Sequence, residues 1–327
     1  MDNLLQMGIE FILALQAIGE WIFTPMKFFT FMGNEEFYLL LAPAVYWCFS
    51  AEIGLQLGLI LMFSASTNAI FKIAFHQPRP SWLDSSLQPQ VSESSFGIPS
   101  GHAQNAVAVW GLLDIRTGKF WGWIIAVLLA LLIGLSRMVL GVHFPTDVLA
   151  GWGLGLLTLW LFVRLTPPIR RWLQGLSAWQ QVGVALLVSL ALIIAGYVVR
   201  GLLGSWQVPQ EWVENALAAD PGSEPITPLD LSGLVSNGGA LFGLASGAVF
   251  IRRRGGYRAR GKPLQLILRY VLGVVGVFIL WRGLGLFFPR GEELLPAALR
   301  YLRYALVGFW ITGLAPLVFR WTRLSTG

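Results

Sequence analysis

The 327-residue sequence has little charge and few groups for acid–base chemistry. Asp, Glu, Lys and Arg together make up 12% of the chain, histidine occurs three times, and the one cysteine is Cys48. A single cysteine excludes an intrachain disulfide. Hydrophobic residues reach 55%, too many for the surface of a water-soluble protein. This composition excludes a soluble globular domain and draws attention to the few polar residues.

Two further patterns are missing. The chain has no strand-like alternation at the spacing of a membrane barrel, and no basic region precedes its first apolar residues, as a cleavable signal peptide requires. It has instead apolar stretches of about 20 residues, the length that crosses a hydrocarbon core. The pattern predicts an all-α polytopic transmembrane helical bundle. We expect spans near 36–50, 53–75, 99–113, 120–140, 146–164, 180–203, 232–251, 264–286 and 295–319.

The spans suggest three regions. Polar positions interrupt the apolar pattern of 4–32, so we expect residues 1–35 to form one or two interfacial amphipathic helices. Residues 36–175 form a predicted catalytic transmembrane core. Residues 176–327 form a C-terminal extension of about four spans, including 180–203.

The distribution of basic residues predicts which connections face the cytoplasm. The connections at 164–171 and 252–262 are strongly basic, whereas 204–231 has five acidic residues and no basic one. Cytoplasmic loops are enriched in Lys and Arg. With one crossing per span, 204–231, the 76–98 loop and the 141–145 connection fall on the outer face. The basic connections also account for the net charge of +6, and no contiguous basic groove suggests a nucleic-acid partner.

Most of the residues suited to chemistry lie in three motifs at the ends of apolar runs. Two of the three histidines, three cations, a hydroxyl, a glycine amide and a carboxylate are concentrated there. The motifs are Lys72-x6-Arg79-Pro80, Pro99-Ser100-Gly101-His102 and Ser136-Arg137-x5-His143-x3-Asp147. Because the three connections share one predicted face, we expect the motifs to converge at one membrane surface.

The first two motifs suit an anion. Prolines flanking Arg79 must end the helix that carries Lys72. Lys72 would therefore bind a dianion from the helix end, and Arg79 would bind it from the loop that follows. Ser100 is a good helix cap, and Gly101 lets a ligand approach the backbone. Free amides at a helix N-terminus favour phosphate.

The third motif predicts an activated histidine. Arg137 ends one span, and after a tight connection His143 and Asp147 are four residues apart, on one helical face. A carboxylate there accepts the Nδ1 proton of His143 and leaves Nε2 as acceptor or nucleophile. His102 is then available as a general acid for a leaving oxygen.

Together the motifs resemble the signature of the type 2 phosphatidic acid phosphatase (PAP2) superfamily, over roughly 36–166. The resemblance implies a six-helix core, with the further C-terminal spans outside it. It implies that His143 forms a phosphohistidine, that Asp147 orients it and that His102 protonates the leaving alkoxide. It also implies hydrolysis without a metal or other cofactor. The implied phosphate-binding groups are Lys72, Arg79, Ser100, Gly101 and Arg137.

We therefore expect a membrane phosphatase of a bacterial plasma membrane, with its site on the extracytoplasmic side. Its substrate would be a lipid phosphate monoester or a polyprenyl diphosphate within the bilayer. A transporter, a vanadate-dependent haloperoxidase-like enzyme and a metal hydrolase are the alternatives. The transporter leaves the ordered motifs unexplained, and three histidines without a nearby cysteine suit a closed zinc site poorly.

Some residues keep two interpretations. Asn68, one turn before Lys72, either positions that lysine or makes an interhelical bond. Gly151, Gly153 and Gly155 favour close helix packing over a nucleotide loop, since no strand precedes them. Three arginines near the outer ends of the last two spans are either snorkelling anchors or a second contact with a charged headgroup. They are Arg282, Arg300 and Arg303.

The predicted sidedness can be tested by cysteine labelling. In a Cys48→Ser background, single cysteines at Ser85 and Ser223 should react with an impermeant thiol reagent added to intact cells, because both connections face outward. A cysteine at Gly256, in the basic 252–262 connection, should react only after the cells are opened. Labelling of Gly256→Cys in intact cells would invert the topology.

Overall fold

The structure is a computed structural model that describes residues 2–289 and 291–325. Regular structure in these residues is entirely helical. The helices are α1 Asp2–Gln16, α2 Phe23–Phe31, α3 Glu35–Ala44, α4 Ala51–Phe75, α5 Pro80–Leu83, α6 Gly101–Thr117, α7 Gly122–Val139, α8 Pro145–Gln174, α9 Ala178–Leu202, α10 Gln210–Ala219, α11 Ser232–Arg253, α12 Pro263–Phe278, α13 Leu284–Phe287, α14 Leu294–Phe309 and α15 Ala315–Trp321. Short π-helical turns follow α3, α12 and α14, at Val45–Phe49, Ile279–Gly283 and Trp310–Leu314.

The chain forms two compact units. The first contains the described residues up to Glu35, together with Thr67–Trp160 and Gly196–Asp230. The second contains Glu36–Ser66, Leu161–Ala195 and the described residues from Leu231 onward.

Seven helical segments of the described chain are long and apolar enough to cross a membrane. They correspond to seven of the predicted spans, and the protein is an integral membrane protein. Predicted spans 36–50 and 99–113 do not reach this length. The first is divided into α3 and a π-helical turn, and α6 has 17 residues, about 26 Å at the usual helical rise. Membrane-spanning helices begin at about 17 residues, so the 99–113 crossing stays a prediction.

The N-terminal region contains two helices. The helical segment Asn3–Gln16 is bent by 93° relative to Glu20–Phe31. Gly19, at the bend, has φ +125°, a conformation that favours glycine. The region thus contains two helices, and their interfacial location stays a prediction.

Glycines allow close packing in the first unit. A Cβ at Gly151 would lie 2.5 Å from the Ser100 carbonyl oxygen, and one at Gly155 would lie 2.7 Å from that of Gln104. These contacts bring the start of α8 against the start of α6. They confirm the packing interpretation for Gly151 and Gly155 and place two of the three motifs side by side. Gly153 takes no part, because open space surrounds its Cβ position.

The second unit is built on a similar contact between α11 and α14. Glycines at four-residue intervals face the α14 backbone, and a Cβ at Gly243 would lie 2.1 Å from the Ala305 carbonyl oxygen. Small residues at this spacing let membrane helices approach closely. Trp47, fully buried in the same unit, donates from Nε1 to the Ile311 carbonyl at 2.8 Å.

Helix α8 extends ten residues past the predicted end of its span at 164. It continues through Pro167 and Pro168 to Gln174. Thr166 Oγ1 donates to the Phe162 carbonyl at 2.5 Å, close to the point where the prolines remove backbone donors. The apolar run is therefore shorter than the helix that contains it.

Gly243→Ala should destabilise the protein because the added methyl group meets backbone that cannot move aside. Overpacking of this kind costs about 1–3 kcal/mol, which exceeds the gain in helix propensity of alanine over glycine. The measurement is the thermal midpoint of the purified protein in detergent. Gly183→Ala, in α9 with open space around its Cβ position, is the control and should raise the midpoint or leave it unchanged. Equal midpoints for the two variants would contradict the packing argument.

Candidate active site

The predicted cations lie at helix ends. Lys72 is in the last turn of α4, Arg137 is in the last turn of α7, and Arg79 immediately precedes α5. Arg79 and Arg137 are each only 1% exposed, and Lys72 is buried as well. Burying a charged group is costly unless it is paired and hydrogen-bonded, so the partners of these cations define the site.

His143 lies in the connection between α7 and α8, and Asp147 lies in the first turn of α8. The Nδ1 atom of His143 is 3.2 Å from Oδ2 of Asp147. The same oxygen accepts the Phe144 backbone N–H at 2.9 Å, so the carboxylate satisfies a helix-end amide while it orients the imidazole. The structure therefore joins this pair as predicted, although His143 precedes α8 and does not share a helical face with Asp147.

Arg79 decides the histidine tautomer. Its Nη1 atom lies 3.2 Å from Nε2 of His143, and a guanidinium can only donate. Nε2 is therefore the acceptor, and the proton resides on Nδ1, where Asp147 accepts it. Burial lowers the pKa of His143 well below its usual range, and the charges of Arg79 and Lys72 lower it further. The imidazole is neutral at pH 7, as a nucleophile requires.

The loop before α6 supplies oxygens to the cations. Lys72 Nζ donates to Ser95 Oγ and to the Phe96 carbonyl, at 2.8 Å each. Arg79 donates from Nε to the Ser95 carbonyl at 2.5 Å and from Nη1 to the Val142 carbonyl at 2.8 Å. These contacts hold the first motif against the 76–98 loop and the connection that carries His143.

Glu93 bridges two of the cations. Its Oε2 atom lies 3.3 Å from Nη2 of Arg79, and its Oε1 atom pairs with Nη2 of Arg137. Arg137 also donates from Nη1 to Thr30 Oγ1. The carboxylate thus occupies the space between two guanidinium groups, the place that the resemblance gives to phosphoryl oxygens.

Glu93 places a negative charge between Arg79 and Arg137. Burial alone would raise the pKa of Glu93, but Arg79 and Arg137 outweigh it and hold the pKa well below its usual range. Displacing the ionised Glu93 carboxylate would leave both guanidinium groups to face a bound ligand, which suits a phosphate dianion.

Ser100 stands at the N-cap of α6 but does not cap it. Its hydroxyl is buried and has no hydrogen-bond partner among the described residues. The expectation that the side chain caps α6 is therefore wrong. An unsatisfied buried hydroxyl is costly and needs an explanation. The resemblance to the PAP2 superfamily assigns this hydroxyl to a phosphoryl oxygen.

Asn68 organises the second motif. Its Nδ2 atom donates to the Pro99 carbonyl at 3.2 Å and to Gln104 Oε1 at 2.8 Å. A Cβ at Gly101 would approach Asn68 Oδ1 to 3.1 Å. Of the two interpretations of Asn68, the interhelical bond is the one that the structure supports. It fixes the segment that carries Ser100.

His102 is oriented by the turn after α2. Its Nε2 atom is 2.7 Å from Asn34 Oδ1, and a Cβ at Gly33 would lie 2.8 Å from its Cδ2 atom. This edge of the ring faces the turn, so Nδ1 is on the opposite edge. The N-terminal region thus contacts both Arg137, through Thr30, and His102, through Asn34.

The acidic 204–231 segment packs on the 76–98 loop. Asn215 Nδ2 donates to the Trp82 carbonyl at 3.1 Å, and the rings of Trp82 and Trp212 have centroids 6.2 Å apart. Phe96 packs in the same aromatic cluster. The two segments therefore pack together, and the face of the membrane on which they lie stays a prediction.

Sequence reasoning missed Glu93, Ser95, Thr30 and Asn34. One sequence feature could have pointed to Glu93, because it and Asp84 are the only acidic residues within 76–98. The others are ordinary polar residues outside the motifs. Their contribution depends on how the chain folds around the three cations.

The chain is similar to several known proteins. The sequence profile of the PAP2 superfamily matches residues 53–171, and that of the PAP2 superfamily phosphatase transmembrane extension matches 235–327. Phosphatidylglycerophosphatase B of Bacillus subtilis is 32% identical over 47% of this chain and 80% of its own length. Undecaprenyl-diphosphatase of Sulfolobus acidocaldarius is 31% identical over 39% of this chain and 63% of its own length. The crystal structure of a transmembrane PAP2 type phosphatidylglycerolphosphate phosphatase from Bacillus subtilis aligns at 29% identity over 52% of this chain and 89% of that chain, with a TM-score of 0.45.

Glu93→Gln should strengthen the binding of phosphate-like anions. The neutral amide competes less well for Arg79 and Arg137 and leaves the site more positive. We expect KM for a phosphate ester and the inhibition constant of vanadate to fall roughly tenfold, equivalent to about 1.4 kcal/mol. The kcat should change by less than about threefold.

Asp84→Asn is the matched control. Asp84 lies in the same loop, but its carboxylate accepts from the Ser86 backbone and not from the cations of the site. Both constants should stay at their original values in this variant. A Glu93→Gln enzyme with lower kcat and unchanged KM would instead make Glu93 a positioning residue for the arginines.

Proposed function

Since this chain belongs to the PAP2 superfamily, we propose that it removes phosphate from a lipid phosphate monoester or polyprenyl diphosphate through a phosphohistidine on His143. The observation that carries this proposal is the contact set of that imidazole. Asp147 accepts from Nδ1 at 3.2 Å, and Arg79 reaches Nε2 at 3.2 Å. The nucleophilic atom and a phosphate-binding cation thus adjoin one another.

The substrate phosphate would replace the Glu93 carboxylate between Arg79 and Arg137. Lys72, the Ser100 hydroxyl and the Gly101 amide would bind the other phosphoryl oxygens. Guanidinium groups bind phosphate through two parallel hydrogen bonds, as they bind carboxylates. Donors fixed before the substrate arrives stabilise charge that develops in the transition state.

The chemistry would proceed in two displacements. The Nε2 lone pair of His143 attacks phosphorus, and the bond from phosphorus to the ester oxygen breaks. His102 starts this step as an imidazolium, with a proton on each ring nitrogen, and gives its Nδ1 proton to the departing oxygen. Water then attacks the phosphohistidine, His102 takes a proton from that water, and the phosphorus–nitrogen bond breaks to release inorganic phosphate. Asn34 holds Nε2 of His102, so we assign both proton transfers to Nδ1.

The position of the site supports a lipid substrate. Lys72 and Arg137 end their helices, and Asp147 begins α8, so the reacting groups lie where the spans meet water. A phosphate group attached to a membrane-embedded tail lies at the same depth. The relatives include enzymes named for phosphatidylglycerophosphate and undecaprenyl diphosphate. We propose an extracytoplasmic site in a bacterial plasma membrane, as the basic connections predict.

The nucleophile can be tested by trapping. Brief incubation with a ³²P-labelled lipid phosphate should leave an acid-labile, base-stable label on the wild type and none on His143→Ala, whose turnover should fall at least about 10³-fold. His102→Ala should lose about 10²–10⁴-fold on an alkyl phosphate. It should lose far less on p-nitrophenyl phosphate, whose leaving group needs no proton.

Excess chelator tests whether the enzyme is a metal hydrolase. Activity should persist in chelator because the cations of the site take the place that a metal has in metal hydrolases. Loss of activity that divalent ions restore, or normal turnover by His143→Ala, would rule out the phosphohistidine mechanism.

A further inference from the structure

A cavity of about 220 Å³ lies in the second unit, between the end of the α12–α13 segment and the start of α14. It is lined by three guanidinium groups, those of Arg282, Arg300 and Arg303, together with apolar side chains that include Trp281 and Leu286. One water molecule needs roughly 10–15 Å³ on the same measure, so the cavity admits a larger group. The cavity belongs to the C-terminal extension, away from the three motifs in sequence.

The three arginines of the cavity have no carboxylate partner among the described residues. None of the ion pairs in that part of the chain involves them. Three cations that line one cavity repel each other, and an anion between them removes that repulsion.

Neighbouring residues hold the side chains of Arg303 and Arg282 in position. The Nε atom of Arg303 is sealed from solvent without a hydrogen-bond partner among the described residues. Arg303 stacks over Tyr304 at 5.0 Å, and Arg282 stacks over Trp281 at 4.7 Å. Gly285 makes room for Arg303, because a Cβ there would lie 2.5 Å from Nη1. A snorkelling arginine needs neither a stacking partner nor a glycine beside it.

The rim of the cavity suits a membrane lipid. Leu286 lines the cavity and is 83% exposed, and Phe287 beside it is 82% exposed. These side chains lie in the last turn of Pro263–Phe287, a segment long and apolar enough to span a membrane, so apolar lipid chains can contact the rim of the cavity. Charge, aromatic stacking and an apolar rim occur together at one place.

We propose that this cavity binds the phosphate group of an anionic membrane lipid, at a site separate from the catalytic histidines. Arg300 and Arg303, three residues apart on one face of α14, would hold the phosphate oxygens, and Arg282 would close the third side. The acyl chains would lie along Leu286. Binding at this site requires no hydrolysis by the catalytic residues.

The test counts lipids on the full-length protein by native mass spectrometry, in micelles that contain phosphatidylglycerol and phosphatidylcholine. Phosphatidylglycerol is a phosphodiester and offers no terminal phosphate to hydrolyse, and vanadate fills the catalytic site. The wild type should retain phosphatidylglycerol over phosphatidylcholine. Arg300→Gln/Arg303→Gln should lower that retention at least about tenfold, since two charged contacts are lost.

Gly285→Ala is the sharper variant, because it changes no charge and adds only a methyl group against Arg303. This variant should lower retention of phosphatidylglycerol about threefold or more. If the protein only attracted anionic lipid in a general way, retention would not change. Arg253→Gln/Arg258→Gln removes two exposed arginines elsewhere in the unit and should bind like wild type. Thermal melts of every variant verify folding.

Inorganic phosphate distinguishes the two sources of the anion. Displacement of phosphatidylglycerol by millimolar phosphate would show that the phosphate group alone is recognised, and persistence would show that the acyl chains contribute. Wild-type retention by folded Arg300→Gln/Arg303→Gln protein, or an equal loss in the Arg253→Gln/Arg258→Gln control, would overturn the proposal. Turnover does not enter this measurement, so its outcome is independent of the phosphohistidine assignment.

Discussion

Holding cations at the end of apolar helices carries a desolvation cost, and the first unit is organised to offset it. Arg79 and Arg137 are nearly inaccessible to water, yet each meets a carboxylate and further oxygens. Three of the oxygens around Arg79 are backbone or hydroxyl groups from the Ser95 and Val142 neighbourhoods. Ion pairs in low dielectric repay their desolvation only when hydrogen bonds complete the geometry. The path of the 76–98 loop follows from that requirement.

The same constraint explains the role of the surrounding helices. Glycines of α8 bring its backbone to that of α6, so the start of one helix is fixed against the start of the other. The Ser100 backbone N–H donates to the Asp147 carbonyl at 2.9 Å and links the second motif to the third. A site built from helix ends needs such contacts, because helix termini are otherwise the parts most prone to fraying. The catalytic geometry therefore depends on main-chain packing as much as on side chains.

Sequence patterns predict the helices and the motif residues because both are local signals. Apolar runs mark the spans, and the four-residue spacing of His143 and Asp147 brings the two side chains together as expected. Glu93 lies outside these patterns, since its partners, Arg79 and Arg137, are 14 and 44 residues away. The prediction that the Ser100 side chain caps α6 was wrong for a related reason. Capping is the usual local use of a serine before a helix, whereas its buried hydroxyl without a partner is visible only in three dimensions.

The Glu93 contact has a consequence for the end of the catalytic cycle. A carboxylate tethered beside its two guanidinium partners competes at an effective concentration that dilution of the protein or substrate does not alter. In the proposed cycle, once the ester bond has been cleaved and inorganic phosphate remains, the returning side chain would take back the same donors. Product departure would then have an internal driving force, and the site would give up some affinity for its substrate in return for faster clearance of inorganic phosphate.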